Sequence, residues 1–247
     1  MINGAITLGF PVVHGTLLIC LSLSLLFSIS RSVQAARYAF LAGLFCLSLN
    51  LVLLILSAGR LPLYGMFESM TTILWVAGIC LYLETKTRPW AGAIPGIGAM
   101  AALGAFMCVF PLQANHDFFM YGNPWVQSFF FFRLLSAGII LYAGIRSAAA
   151  WAGAREKQNQ LHEIRRQHML FLLGTILFLS SELSGSIWCL KGWGDSWHWS
   201  ENFLQSAAIF FLIMLNLHIP SRLLNSTGIR NSLGALSSLA VLILFLW

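Results

Sequence analysis

Charged residues are what this chain has least of: they make up 9% of its 247 residues, with 8 acidic against 14 basic. Soluble globular proteins carry about 25% charged residues, so this scarcity, beside a hydrophobic share of 58%, excludes that class. A mean hydropathy of +0.80 points to an integral membrane protein. Cysteine is also sparse. Cys20, Cys46, Cys80, Cys108 and Cys189 stand singly in apolar segments without a C-x-x-C pair, which leaves thiol exchange and zinc binding unsupported and reads as small core residues. No long polar insertion interrupts the chain, so residues 1–247 read as a single transmembrane domain. The apolar runs do not alternate in polarity as the strands of a membrane barrel must, and the expected fold is all-α.

Gly, Pro and clustered charge cut the apolar content into eight runs: Leu8–Ser28, Ala36–Ser57, Ser69–Leu83, Ala91–Val109, Trp125–Ala148, His168–Leu190, Phe203–His218 and Ser232–Trp247. A helix crosses a bilayer in ~20 residues, so the expectation is a bundle of about eight transmembrane helices. No basic residue precedes the first run, and it exceeds the ~7–15 residues of a signal-peptide core, so it is expected to be a retained helix. The net charge of +6 could point to nucleic acid. Its distribution argues otherwise. Arg31, Arg37, Lys86, Arg88, Arg146, Arg155, Lys157, Arg165, Arg166, Arg222 and Arg230 follow the odd-numbered helices, while the alternate loops hold Arg60 and Lys191. Eleven against two is a positive-inside asymmetry that places both termini outside, so the basic charge reads as a topology signal and no nucleic-acid partner is expected.

The most distinctive stretch is Trp188 to Phe203, W-C-L-K-G-W-G-D-S-W-H-W-S-E-N-F, with four tryptophans in twelve residues between helices 6 and 7. Indole is costly to leave in water and its N–H needs a partner, so the cluster reads either as a flat platform at the bilayer surface or as an aromatic interface belt. His14, near the outer end of helix 1, is expected to bond a backbone carbonyl more readily than a metal. Glu68, at the start of helix 3, suits the helix dipole; its functional reading is a polar partner for the Trp loop. His116 and Asp117 sit together in the fourth loop, where a carboxylate can orient an imidazole or both can simply be solvated. Arg133 and Glu182 fall at the same depth of helices 5 and 6, roughly ten ångströms below the outer surface at 1.5 Å per residue. A lone charge there costs at least ~2.5 kcal/mol, so the two are expected to pair. The polar segment Ala154–Gln167 reads as a solvated helical extension. His168 opens helix 6, and His218, ending helix 7, is either a C-terminal cap or a ligand.

Leu183-Ser184-Gly185-Ser186-Ile187-Trp188, then Trp193-Gly194 and Trp197-His198-Trp199, resembles the tryptophan-rich signature of the CcsA/CcmC/CcmF superfamily of cytochrome c assembly proteins. It is most similar to the CcsA (ResC) branch, whose pattern runs L-S-G-x-x-W, W-G-x-x-W-x-W-D-P-K-E. Pro62-Leu63, Phe67-Glu68-Ser69 and Trp75 resemble that branch's P-L-S-N-x-Y-E-S and its following Trp, and His218 falls nineteen residues after Trp199, where the family keeps an inner histidine. The resemblance departs at three places. The D-P-K-E positions are Ser200-Glu201-Asn202-Phe203; the position of an outer ligand histidine, counted from Trp125, is Phe129; and a second outer histidine, expected in G-L-H-S-Y-G beyond the last helix, has no counterpart before Trp247.

The resemblance implies a haem-handling protein of the bacterial inner membrane, with the Trp-rich loop on the periplasmic side. It implies haem b as cofactor, Trp188, Trp193, Trp197, Trp199 and Glu68 around it, and His218 as an axial ligand. His116 and His198 are the alternatives at the outer face, and His168, His14 or a partner subunit could supply a second donor. The implied partners are the lipid bilayer and a CcsB-like protein or a c-type cytochrome. Haem lyase-like activity is implied by the family, and the departures favour a rival: a repurposed membrane subunit of a respiratory or electron-transfer complex that anchors a multihaem cytochrome or handles quinol. No inverted repeat supports a transporter.

Overall fold

The computed structural model describes residues 2–87, 89–115, 122–151, 160–196, 201–219 and 227–246. Among these residues the regular structure is helical throughout, without a strand. The chain divides into two compact units, Met1–Phe118 and Phe119–Trp247. The first holds α1 (Ile2–Ile29), α2 (Val33–Ala58), α3 (Met66–Thr87) and α4 (Ile94–Met107), the last entered through a 3-10 turn at Trp90–Ala93. The second holds α5 (Pro124–Trp151), α6 (Gln160–Trp193), α7 (Glu201–Leu217) and α8 (Thr227–Leu246).

Among the described residues all eight apolar runs form helix, and 7 of the helices are long and apolar enough to cross a membrane. The chain is a multi-pass membrane protein. The exception is α7, whose 17 residues extend about 26 Å at 1.5 Å per residue, against a hydrocarbon core of about 30 Å.

In the first unit, α1 turns one buried stripe inward: Phe10, His14, Leu17, Leu21, Ser24 and Ser28 recur at the three-and-four spacing of a helix face. The opposing stripe of α2 carries Phe40, Gly43, Leu47, Asn50 and Leu54. Where α1 turns into α2, the Ser24 hydroxyl donates to the Ala36 carbonyl at 2.9 Å, and Trp90 Nε1 donates to the Ser28 hydroxyl at 2.7 Å. All five cysteines are free.

The second unit is built on α5, which packs along both α6 and α8. Its apolar core gathers Ile140, Phe171, Phe178, Ile209, Ile213 and Val241. Helices α5 and α8 meet very closely at Gly144, where an added Cβ would lie 2.3 Å from Ser238 Cβ. The described part of the extension expected at 154–167 is helical and exposes Arg165, but one of its faces is not solvated. Helix α6 begins at Gln160, before the expected His168, and Glu163 and Gln167 are buried. Arg146, itself buried on α5, donates to the Glu163 carboxylate and, at 3.1 Å, to the Tyr142 hydroxyl. Charges at helical spacing are solvated only when no counter-charge waits on the neighbouring helix. Arg146 is that counter-charge, and a buried guanidinium requires it.

Candidate functional site

Arg133 and Glu182 pair as their common depth requires. Arg133 Nη1 lies 3.3 Å from Glu182 Oε1, with the side chains 7% and 17% exposed. The pair is the centre of a larger network. Arg133 also donates to the Ser206 hydroxyl at 3.1 Å and to Gln205 Oε1 at 3.1 Å, while Ser206 donates to Glu182 at 3.1 Å. Gln205 in turn donates to the Leu244 carbonyl. The guanidinium lies over the rings of Phe129 (5.0 Å) and Phe245 (5.3 Å). One cation thereby joins α5, α6, α7 and α8, and each polar valence it makes in the apolar layer meets a partner. Sequence reasoning missed Gln205 and Ser206, although two adjacent polar residues inside an apolar run were a signal.

Above this network stands an aromatic cluster. Phe129 packs on Trp188 (6.3 Å between centroids), and Trp188 on Trp193 (5.5 Å, 59°), both tilted and within the separation at which aromatic pairs attract. Gly185 makes room for it, since a Cβ there would lie 2.8 Å from the Phe129 ring, and the Ser181 hydroxyl donates to the Phe129 carbonyl at 2.9 Å. Two consecutive features of the L-S-G-x-x-W motif, Gly185 and Trp188, therefore both touch Phe129. Lys191 closes the same end of the unit over Trp125, 5.0 Å from the ring centroid. Trp188 is half-buried and Trp193 is 49% exposed. Trp197, His198 and Trp199 lie outside the described residues, as does His116.

His218 follows the last turn of α7 and is exposed. Its Nδ1 is 3.1 Å from the Met214 carbonyl, which also accepts the His218 backbone N–H at 2.9 Å. A carbonyl only accepts, so Nδ1 carries the proton and Nε2 keeps its lone pair. This is the tautomer, fixed by a backbone carbonyl, that metal-ligating histidines use. The Ser206–Glu182 bond sets the register of the antiparallel α6 and α7. His168, in α6, is also exposed. Among the described residues, no group of three His, Cys, Asp or Glu could hold a metal ion.

In the first unit, His14 adopts the bland role expected of it: Nε2 lies 2.9 Å from the Gly104 carbonyl. Glu68 is 1% exposed and its carboxylate is held by Arg60 through two contacts, Nη1 to Oε2 at 2.8 Å and Nη2 to Oε1 at 3.1 Å. The backbone N–H groups of Asn115 (2.8 Å) and Tyr64 (3.2 Å) donate to the same carboxylate, and Arg60 also donates to the Asn115 carbonyl. Glu68 thus ties the segment before α3 to the segment after α4. Trp75 donates through Nε1 to the Ser48 hydroxyl at 2.9 Å, fixing α3 against α2. No family model and no curated protein matches this chain.

Proposed function

We propose that this chain is a divergent CcsA-like protein of the bacterial inner membrane that binds haem b and handles it during cytochrome c maturation, together with a CcsB-like partner or a c-type cytochrome. The observation that supports this most is the presentation of His218, with Nδ1–H committed to the Met214 carbonyl at 3.1 Å and Nε2 free on an exposed helix end. That donor fits an axial position on haem iron, and His168 on α6 is the second candidate donor. At the opposite end of α6 and α7, the Trp188–Trp193 pair offers a separate outer surface on which a porphyrin can stack without ligation. Bound haem would supply iron-centred redox chemistry and the vinyl groups that cytochrome attachment consumes; the chain would supply position and a dry flank. With the basic loops inside, the Trp-rich loop faces the periplasm. Haem-stained gels of membranes from a strain lacking this chain test the reading: loss of covalently bound c-type haem supports it, and unchanged staining counts against it.

A second reading is favoured by Phe129. The residue standing where the family keeps an outer ligand is packed against Gly185 and Trp188 and under Arg133, so that position holds the bundle together. A CcsA-like subunit repurposed to anchor a multihaem cytochrome, or to handle quinol, has no need of that ligand. It predicts stable co-purification with redox subunits and normal c-type haem staining in the deletion strain.

A further inference from the structure

The seam between α1 and α2 contains one polar layer that packing alone does not explain. Its register is fixed by contacts along it: a Cβ on Gly43 would lie 3.3 Å from Leu21 Cδ2, and one on Gly9 would lie 3.6 Å from Leu53 Cδ1. Counting from the Leu21/Gly43 approach along the two buried stripes puts His14 and Asn50 in one layer, with Leu17 and Leu47 on one side of it and Phe10 and Leu54 on the other. Every one of these six side chains is fully buried. Four are hydrocarbon. The fifth and sixth, His14 and Asn50, form the only polar pair in the series.

Both carry polar atoms without a partner: His14 Nδ1, Asn50 Nδ2 and Asn50 Oδ1. A mid-helix asparagine has an easy alternative, which Asn216 takes by donating to the Leu212 carbonyl at 2.9 Å one turn back. Asn50 does not take it. The chemistry of the three atoms is complementary to one small molecule. Since His14 Nε2 donates to the Gly104 carbonyl, Nδ1 is an acceptor; Asn50 offers one acceptor and an N–H donor. A molecule with two donors and an acceptor satisfies all three atoms at once, which is the usual valence of a buried water.

We propose that His14 and Asn50 hold a single structural water in the membrane-embedded seam between α1 and α2, hydrogen-bonded to His14 Nδ1, Asn50 Oδ1 and Asn50 Nδ2. The site is built from two helices that have no other polar layer at that depth, so the water joins them where apolar packing would leave polar atoms bare.

The test uses the whole chain in lipid nanodiscs. A density map fine enough to resolve waters should show a peak at hydrogen-bond distance from both His14 Nδ1 and the Asn50 carboxamide. A direct bond between His14 and Asn50, or continuous hydrocarbon between them, overturns the proposal. Thermal melting of Asn50→Leu gives an independent reading with opposite signs. If water bridges the pair, the substitution strands His14 Nδ1 and lowers the melting midpoint by several degrees. If the amide is truly without a partner, replacing it with hydrocarbon raises the midpoint, and the proposal fails. Should Asn50→Leu not fold, the map of the unaltered protein decides.

Discussion

Replacing Arg133 with Met removes the cation on which four helices converge. The substitution deletes donations to Glu182 (3.3 Å), Ser206 (3.1 Å) and Gln205 (3.1 Å), and two ring contacts. Hydrogen bonds to charged groups contribute about 1.5–3 kcal/mol each. Against that gross loss stands the desolvation of the guanidinium, which Met does not suffer. What decides the net is the carboxylate left behind, since breaking a buried pair from one side costs about 3–5 kcal/mol. Arg133→Met and Glu182→Leu are therefore each expected to destabilise by about that amount. The double variant removes both charges, and its loss should be smaller than either single loss. Chemical unfolding in detergent, followed by tryptophan fluorescence, gives the four stabilities of the cycle. A double variant as unstable as the sum of the single variants would refute the reasoning, because it would mean that the two charges are solvated independently.

Two further substitutions probe each unit separately. Glu68→Gln keeps the size of the side chain and removes its charge, so the contacts from Arg60 and the Asn115 amide weaken; a loss of about 2–3 kcal/mol is expected in the same unfolding assay, while Glu68→Ala should cost more. Gly144→Ala places a methyl 2.3 Å from Ser238 Cβ and should lower the melting midpoint by the equivalent of about 1–3 kcal/mol of overpacking; adding Ser238→Gly should restore most of it, and failure of that rescue would mean that α5 and α8 do not meet there.

Much of the bundle was legible because its signals are local. Eight apolar runs became eight helices, and the Arg133–Glu182 pair followed from depth alone, since a charge in lipid has few alternatives. The partners of Glu68 were illegible for the opposite reason. Arg60 and Asn115 come from segments on either side of two helices, and no pattern within one segment announces that they meet. Glu163 and Gln167 misled because charge at helical spacing looks the same whether it faces water or a buried Arg146. In the candidate site, Trp188 and His218 are candidates by motif and spacing. The role of Phe129 was not legible, because its meaning lies in Gly185, Trp188 and Arg133 packing on it from other turns.

The optical spectrum of the purified protein, before and after His218→Ala, tests haem binding most directly. Purified from cells supplied with haem, the protein should show a Soret band, and His218→Ala should shift or abolish it while leaving the melting midpoint nearly unchanged, since His218 is exposed and its bonds among the described residues are to its own helix. A protein without Soret absorbance, or one whose haem spectrum is unchanged by His218→Ala, would contradict the proposed function.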